Sequence, residues 1–175
     1  MQRNVFAVVI GAAWIAGMGS AFAQSAAPAQ TAKPTQTAKP AAHVMVQGGD
    51  VKWGPGPPAL PPGAQAAALD GDPAKSGLFV VRVKFPDGYQ VPPHSHPTDE
   101  HVVVVSGTLM AALGDKVNQA DMHELKAGGY AKMPARTNHY VRAKGETIVQ
   151  ITGMGPFEVK YVNPADDPRT KSSKP

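Results

Sequence analysis

The chain has no cysteine among its 175 residues. Disulfide bonds, thiolate metal sites and cysteine nucleophiles are therefore excluded. Aromatic residues make up only 6% of the sequence, and no arginine-rich stretch alternates with them as in faces that bind nucleic acids. The basic residues are scattered, so the formal net charge of +4 does not indicate a nucleic-acid partner.

Three further patterns are missing: a convincing amphipathic helix, a Ser–His–Asp arrangement and a glycine-rich phosphate loop. The hydrophobic content of 42% is nevertheless enough to form a core, and the length allows one domain of ordinary size. The missing patterns favour β-structure for the fold and metal-binding side chains for the site.

The first 23 residues have the pattern of a secretory signal peptide. Arg3 precedes an apolar run over 5–18, and AFA at 21–23 is typical of a cleavage site. The run is shorter than the roughly 20 residues that span a bilayer. We therefore predict a signal peptide over 1–23, a mature protein in the periplasm or secreted, and no stable membrane insertion after processing. An uncleaved membrane anchor is the alternative.

Composition divides the remainder into three parts. Residues 24–43 contain QTAKP twice and are rich in Ala, Pro, Thr and Gln, which predicts a disordered linker. Residues 164–175 have a similar character and are predicted to form a flexible tail. The folded domain is therefore expected over 44–163.

Short β-branched and aromatic segments recur through this domain. Turn residues at 86–88, 106–107, 114–115 and 127–129 separate them, which predicts an all-β sandwich or barrel. The proline-rich stretch 52–65 is predicted to be an ordered arm across the barrel, with Trp53 as its hydrophobic anchor. Open strand edges and such an arm favour a homodimer. The predicted strands are 78–85, 101–105, 147–151 and 156–162, with shorter candidates at 107–113, 129–133 and 139–142.

Three of the six histidines crowd around a carboxylate in the stretch PPHSHPTDEH, residues 92–101. Side chains at i and i+2 of a strand share a face, so His94 and His96 can converge on one point. Pro97 and Asp99 predict a turn, after which Glu100 begins the next strand. Two imidazoles and a carboxylate suit divalent first-row metal ions, and His139 is a candidate fourth ligand. The alternative is that these are surface histidines in a proline-rich loop.

These residues resemble the two motifs of the cupins. The first, G-x5-H-x-H-x3,4-E-x6-G, is complete, whereas the second, G-x5-P-x-G-x2-H-x3-N, has Arg136 for its glycine and Ala143 for its asparagine. The matching residues are Gly88, His94, His96, Glu100 and Gly107 in the first motif, and Gly128, Pro134 and His139 in the second.

The resemblance implies a cupin double-stranded β-helix, or jelly-roll barrel, with His94, His96, Glu100 and His139 holding one ion. Zn, Mn, Cu, Ni and Fe are all open as the divalent transition metal. Arg136 would occupy a turn position where glycine tolerates positive φ, at a cost of about 1 kcal/mol. It either pairs with an anionic ligand at the pocket or lies in solvent. His101 should point to the opposite face of its strand and is not predicted to be a ligand.

The function of the metal is less closely specified, because cupins include dioxygenases, isomerases, decarboxylases, sugar-binding regulators and storage proteins. One hypothesis is a small dioxygenase- or isomerase-like metalloenzyme that acts on a chelating small molecule. A second is a non-catalytic metal-containing module that binds or senses a small molecule. A third is a barrel with a purely structural or interaction role. A second acid–base group in the pocket would favour the enzyme, and the sequence offers no clear one.

Overall fold

The structure is a computed structural model that describes residues 43–171. The predicted signal peptide, residues 24–42 of the predicted linker and residues 172–175 lie outside the described residues. Within the described range, no helix is long and apolar enough to cross a membrane.

The described residues form nine β-strands, which confirms the all-β prediction. The strands are β1 Gly54–Pro55, β2 Gln65–Asp70, β3 Gly77–Phe85, β4 Gln90–Ser95, β5 Glu100–Leu113, β6 His123–Lys126, β7 Tyr130–Met133, β8 His139–Gly155 and β9 Lys160–Tyr161. Helical structure is limited to the 3-10 turns Gly48–Asp50, Gln119–Asp121 and Pro164–Asp166 and to the short helix α1, Pro168–Lys171. The last two fall within the segment predicted to be a flexible tail.

Two long antiparallel strands, β5 and β8, hold the barrel together. They pair along 100–113 of β5, and the register shifts between Val104 and Thr108. The opposite edge of β8 pairs with β3 over 147–155 and with β4 over 139–142. The opposite edge of β5 pairs with β7 and then with β6. Because each long strand bends from one set of partners to the next, the sheet folds over into the predicted jelly-roll barrel.

The predicted turn at 106–107 is wrong, since β5 continues through it. Gly107 has a φ of +77° inside the strand. The glycine therefore allows a bulge that bends the strand without ending it. The candidates at 139–142 and 147–151 likewise belong to one strand, β8. The strand predicted over 156–162 shortens to Lys160–Tyr161, and residues 156–159 form a loop.

The bend is closed by a fully buried threonine, Thr147. Its hydroxyl accepts a hydrogen bond from Thr108 N at 3.2 Å and donates one to Thr108 O at 2.9 Å. This side chain thereby binds the backbone of β5 at the point where the register shifts. The Cα of Thr147 and the Glu146 carbonyl press against Gly107, so no side chain fits there.

The core of the barrel consists mainly of inward-facing apolar side chains from four strands. Each buried valine, leucine or phenylalanine contributes about 1.5–3 kcal/mol relative to an exposed one. The most buried members are Val83 and Phe85 from β3, Val91 from β4, Val102, Val104 and Leu109 from β5, and Ala143 and Val149 from β8.

The proline-rich stretch 52–65 does pack on the barrel, although Trp53 is not its main anchor. Trp53 is half-buried, with Lys84 Nζ 4.7 Å from its ring centroid. Leu60 packs against the core instead, and two tyrosines donate hydrogen bonds to the stretch: Tyr89 to Pro61 O and Tyr161 to Ala59 O. At its start, β1 pairs with β2 as an edge strand, where proline is tolerated.

Substitution of Gly107 tests the importance of the bend. In Gly107→Ala the new Cβ would lie 2.3 Å from the Glu146 carbonyl oxygen, whereas in Gly145→Ala it would meet nothing within 4 Å. Both glycines have a φ near +75°. We expect Gly145→Ala to lower the free energy of unfolding by about 1 kcal/mol through backbone strain alone. Gly107→Ala should lose at least twice as much, because the backbone must also move. Urea denaturation of both variants measures the difference, and equal losses would contradict the assigned role of Gly107.

Candidate metal centre

The candidate site lies where three strands begin or end. His94 is on β4 and His96 directly follows that strand, while Glu100 and His139 are the first residues of β5 and β8. His94 and His139 are register partners between β4 and β8. All four residues are at most 6% exposed. The structure therefore brings together the four residues that the sequence singles out, 45 positions apart at the extremes.

Backbone hydrogen bonds join the two sequence motifs around the site. Arg136 N donates to His96 O at 2.8 Å, and Ala135 N donates to the Asp99 carboxylate at 2.8 Å. Arg136 has a φ of +59°, which confirms the left-handed turn expected at this glycine position. Its side chain is exposed and does not line the cavity below the site, which favours the solvated alternative.

Each imidazole is held by a backbone carbonyl. The Nδ1 atoms of His94, His96 and His139 lie 2.7, 2.7 and 3.1 Å from Pro92 O, Glu158 O and Thr137 O. A carbonyl can only accept, so each Nδ1 carries the proton and each Nε2 presents a lone pair. A hydrogen bond from the nitrogen that does not bind the metal is what orients metal-binding histidines in proteins.

The lone pairs converge on one small volume. One ligand atom from each histidine lies within 4.8 Å of the other two. Glu100 Oε2 lies 3.5 Å from His96 Nε2 and 3.3 Å from His139 Nε2. In the part of the chain that the structure describes, His96 Nε2 is a buried nitrogen without a hydrogen-bond partner. Buried acceptors that face one another are costly unless a cation lies between them. The residues therefore fit a metal ion.

Burial determines the charge of these groups. Burial, followed by the neighbouring His139 and His96, lowers the pKa of His94 to about 3. Burial also lowers the pKa of His96. Burial acts to raise the pKa of Glu100, but His139 within hydrogen-bonding reach and the charges that the imidazoles can carry lower it below its usual value. A carboxylate beside the neutral imidazoles of His94 and His96 is a state that attracts a cation at neutral pH.

The site opens on a cavity of about 260 Å³ inside the barrel. Core side chains such as Val83, Val102 and Leu109 line its inner wall. Pro57 and Pro73 line it nearer the surface. Apart from the four site residues, Glu158 and Arg169 are the lining residues with charged side chains among those described.

Sequence reasoning missed the contribution of the segment after β8. The Phe157 ring stacks on His96 with centroids 4.1 Å apart, and the next carbonyl, that of Glu158, holds His96 Nδ1. Arg169, whose Nη2 donates to Val159 O, reaches the cavity from the predicted tail. The sequence signal is an aromatic residue in a loop after a proline, which is too common to indicate a site.

Four other side chains near the motifs lie away from the site. His101 is on the outer face of β5, with Nδ1 2.8 Å from the Tyr130 hydroxyl. Tyr130 is exposed, while Tyr140 is buried and hydrogen-bonds the backbone of Asn118. Tyr89 is bound to the arm. The tyrosine that lies near His94 is instead Tyr161, with ring centroids 5.9 Å apart.

The barrel and its cluster have the fold of the cupins, as the motifs predict. Similar solved structures include an RmlC-like cupin from Shewanella frigidimarina, at 18% identity and a TM-score of 0.50, over 65% of this chain and 91% of the other. The polyketide cyclase RemF from Streptomyces resistomycificus is similar at 19% identity and a TM-score of 0.55, over 75% and 93%. A protein of Methylibium petroleiphilum, proposed to be an acetylacetone dioxygenase, is similar at 20% identity and a TM-score of 0.56, over 74% and 88%.

Residues 22–175 match the family described as a domain of unknown function, DUF4437, and the chain belongs to that family. No curated protein matches the chain in sequence. At these identities the solved structures show a shared fold and leave the activity open.

Single alanine replacements test the ligand set. We expect loss of any one of His94, His96, Glu100 and His139 to weaken metal binding more than tenfold, because each removes one donor from a closed set. Isothermal titration of the full chain with Zn²⁺ or Mn²⁺ measures the affinity. His101→Ala is the control and should stay within a few-fold, since that side chain lies on the outer face. Unchanged binding in His139→Ala, or a loss in His101→Ala as large as in His96→Ala, would rule out the four-ligand assignment.

The stability of the metal-free protein should fall as the pH is lowered. The pKa of His94 is about 3 in the folded protein against an ordinary 6.5. Below pH 6.5 the unfolded chain therefore binds a proton that the folded protein does not, so the free energy of unfolding decreases with falling pH. This residue should contribute about 1.4 kcal/mol per pH unit, or about 2 kcal/mol between pH 6.5 and 5.

Urea denaturation in the presence of a chelator, at several pH values, measures this dependence. His94→Leu should show a shallower loss than the unsubstituted protein. Replacement of the exposed His123 by leucine serves as the control. If the unsubstituted protein and His94→Leu had the same slope, the effect could not be assigned to His94.

Proposed function

We propose that this cupin binds one divalent transition-metal ion through His94, His96, Glu100 and His139, and that the site binds a small molecule which chelates the ion. The observation that carries the proposal is the convergence of three carbonyl-held imidazoles at the wall of a cavity, with the Glu100 carboxylate 3.5 and 3.3 Å from two of them. Three neutral imidazoles and one carboxylate would leave a bound divalent ion with a net charge of about +1. That charge suits an enolate, phenolate or carboxylate ligand.

A dioxygenase- or isomerase-like activity is the proposed reaction type. When bound, the metal would supply Lewis acidity and, if redox-active, chemistry with dioxygen. The chain itself orients the donors through Pro92, Glu158 and Thr137 carbonyls, and its apolar wall excludes water from the ligand. The shared barrel of the protein proposed to be an acetylacetone dioxygenase supports this type.

A specific observation favours the alternative, a non-catalytic binding or sensing module. A reaction that moves protons needs an acid or base within hydrogen-bond reach of the ligand. Besides the proposed metal ligand Glu100, the carboxylate that lines the cavity among the described residues is Glu158, an exposed side chain 3.6 Å from Lys160 Nζ. A site with its acid–base group at the rim is suited to binding, or to a reaction with little proton transfer.

Chelator binding tests the proposal. Purified full chain loaded in turn with Zn²⁺, Mn²⁺, Ni²⁺, Cu²⁺ or Fe²⁺ should bind acetylacetone, a small enolic chelator, with a change in ligand absorbance. The His96→Ala variant should show no such change. Oxygen uptake or isomerisation of the chelator would support the enzyme, and binding without turnover would support the alternative. Failure of every loaded form to bind the chelator would defeat the proposal.

The location and assembly of the protein are proposed from the sequence. We propose that residues 1–23 are removed on export, that the mature protein is periplasmic or secreted, and that it forms a homodimer. Intact-mass measurement and light scattering on material from the native compartment check these points. A retained N-terminus in the membrane fraction, or a monomer at micromolar concentration, would contradict them.

A further inference from the structure

The inner wall of the cavity differs sharply from the metal-binding wall. The inner wall is formed by Val83, Phe85, Val102, Leu109 and Val149, each at most 5% exposed. These residues lie on β3, β5 and β8, whose backbone groups pair in the sheet. A ligand that extends inward from the site therefore meets apolar surface.

From this asymmetry we infer that the ligand has a polar chelating end and an apolar body, and that the body lies inside the barrel. The inference rests on the proposed function, because the chelating end is the part that the metal would bind. The inference adds the chemical class of the rest of the ligand. A polyhydroxylated body, such as that of a sugar acid, is disfavoured. Each hydroxyl buried there without a partner would weaken binding by about tenfold or more.

The size of the cavity limits the body further. An apolar cavity of about 150 Å³ is large enough to bind benzene. The volume of about 260 Å³ here therefore accommodates one six-membered ring together with its chelating substituents. It is smaller than the pockets of roughly 300–1,000 Å³ that hold drug-sized ligands. The inferred class is thus a monocyclic or short-chain ligand with one chelating group.

A series of hydroxamic acids with one chelating group and different bodies tests the inference. The full chain loaded with Zn²⁺ would be titrated with acetohydroxamic, benzohydroxamic and gluconohydroxamic acid. Benzohydroxamic acid should bind at least tenfold more tightly than acetohydroxamic acid, because it buries a ring. Gluconohydroxamic acid should bind no more tightly than acetohydroxamic acid.

Neighbouring residues of β5 provide a matched pair of variants. Val102 faces the cavity, whereas Val103 is 38% exposed on the outer face. Val102→Phe should abolish the preference for benzohydroxamic acid while Zn²⁺ affinity is retained, and Val103→Phe should change neither. If Val102→Phe fails to fold, Val102→Leu, with a smaller increase in volume, should reduce the preference.

The outcomes distinguish a failure of the inferred ligand class from a failure of the proposed function. Binding of acetohydroxamic acid with no gain for benzohydroxamic acid, or with tighter binding of gluconohydroxamic acid, would overturn the inferred class and leave the metal-centred function standing. Zn²⁺ binding without binding of any hydroxamic acid would overturn both.

Discussion

Three imidazole lone pairs and a carboxylate that face one another inside an apolar barrel are unfavourable unless a cation joins them. The barrel nevertheless holds them there, through carbonyls that bind each Nδ1. The register of β4 against β8 sets His94 beside His139, and the start of β5 places Glu100. The other strands complete a scaffold rigid enough to keep this arrangement. Stability is thereby sacrificed locally to form a site that fits a cation.

The bends in β5 and β8 connect that site to the core. Each long strand carries a site residue at its first position and core residues further along. The bend at Gly107 and Thr147 allows the same strands to enclose a cavity. The cavity therefore has metal donors at one wall and core side chains at the other. This difference between the two walls is a property of the strands themselves, since their core residues beyond the first positions are valine, leucine and alanine.

The sequence predicts the site better than it predicts the path of the chain around it. His94, His96 and Glu100 are near one another in sequence, and strand alternation correctly separates His101 from them. The turn predicted at Gly107 is wrong because a glycine at positive φ can form a bulge as well as a turn. Only the pairing of the β5 segments on both sides of the glycine distinguishes the two. Phe157 and Arg169 could not be assigned, since their roles depend on contacts with residues far away in sequence. Local periodicity carries no information on such contacts.

The separation between His94 and His139 has a consequence for a chain without cysteine. An ion bound to both would close a loop of about 45 residues, as a disulfide does in small secreted proteins. In the chain-entropy account, closure of a loop of this length is worth about 4 kcal/mol, provided the ion also stays bound when the chain unfolds. Glu158 extends the linkage, because its carbonyl holds His96 and so ties the segment after β8 to the same point. The ion would then act as a reversible crosslink whose strength depends on the supply of metal around the protein.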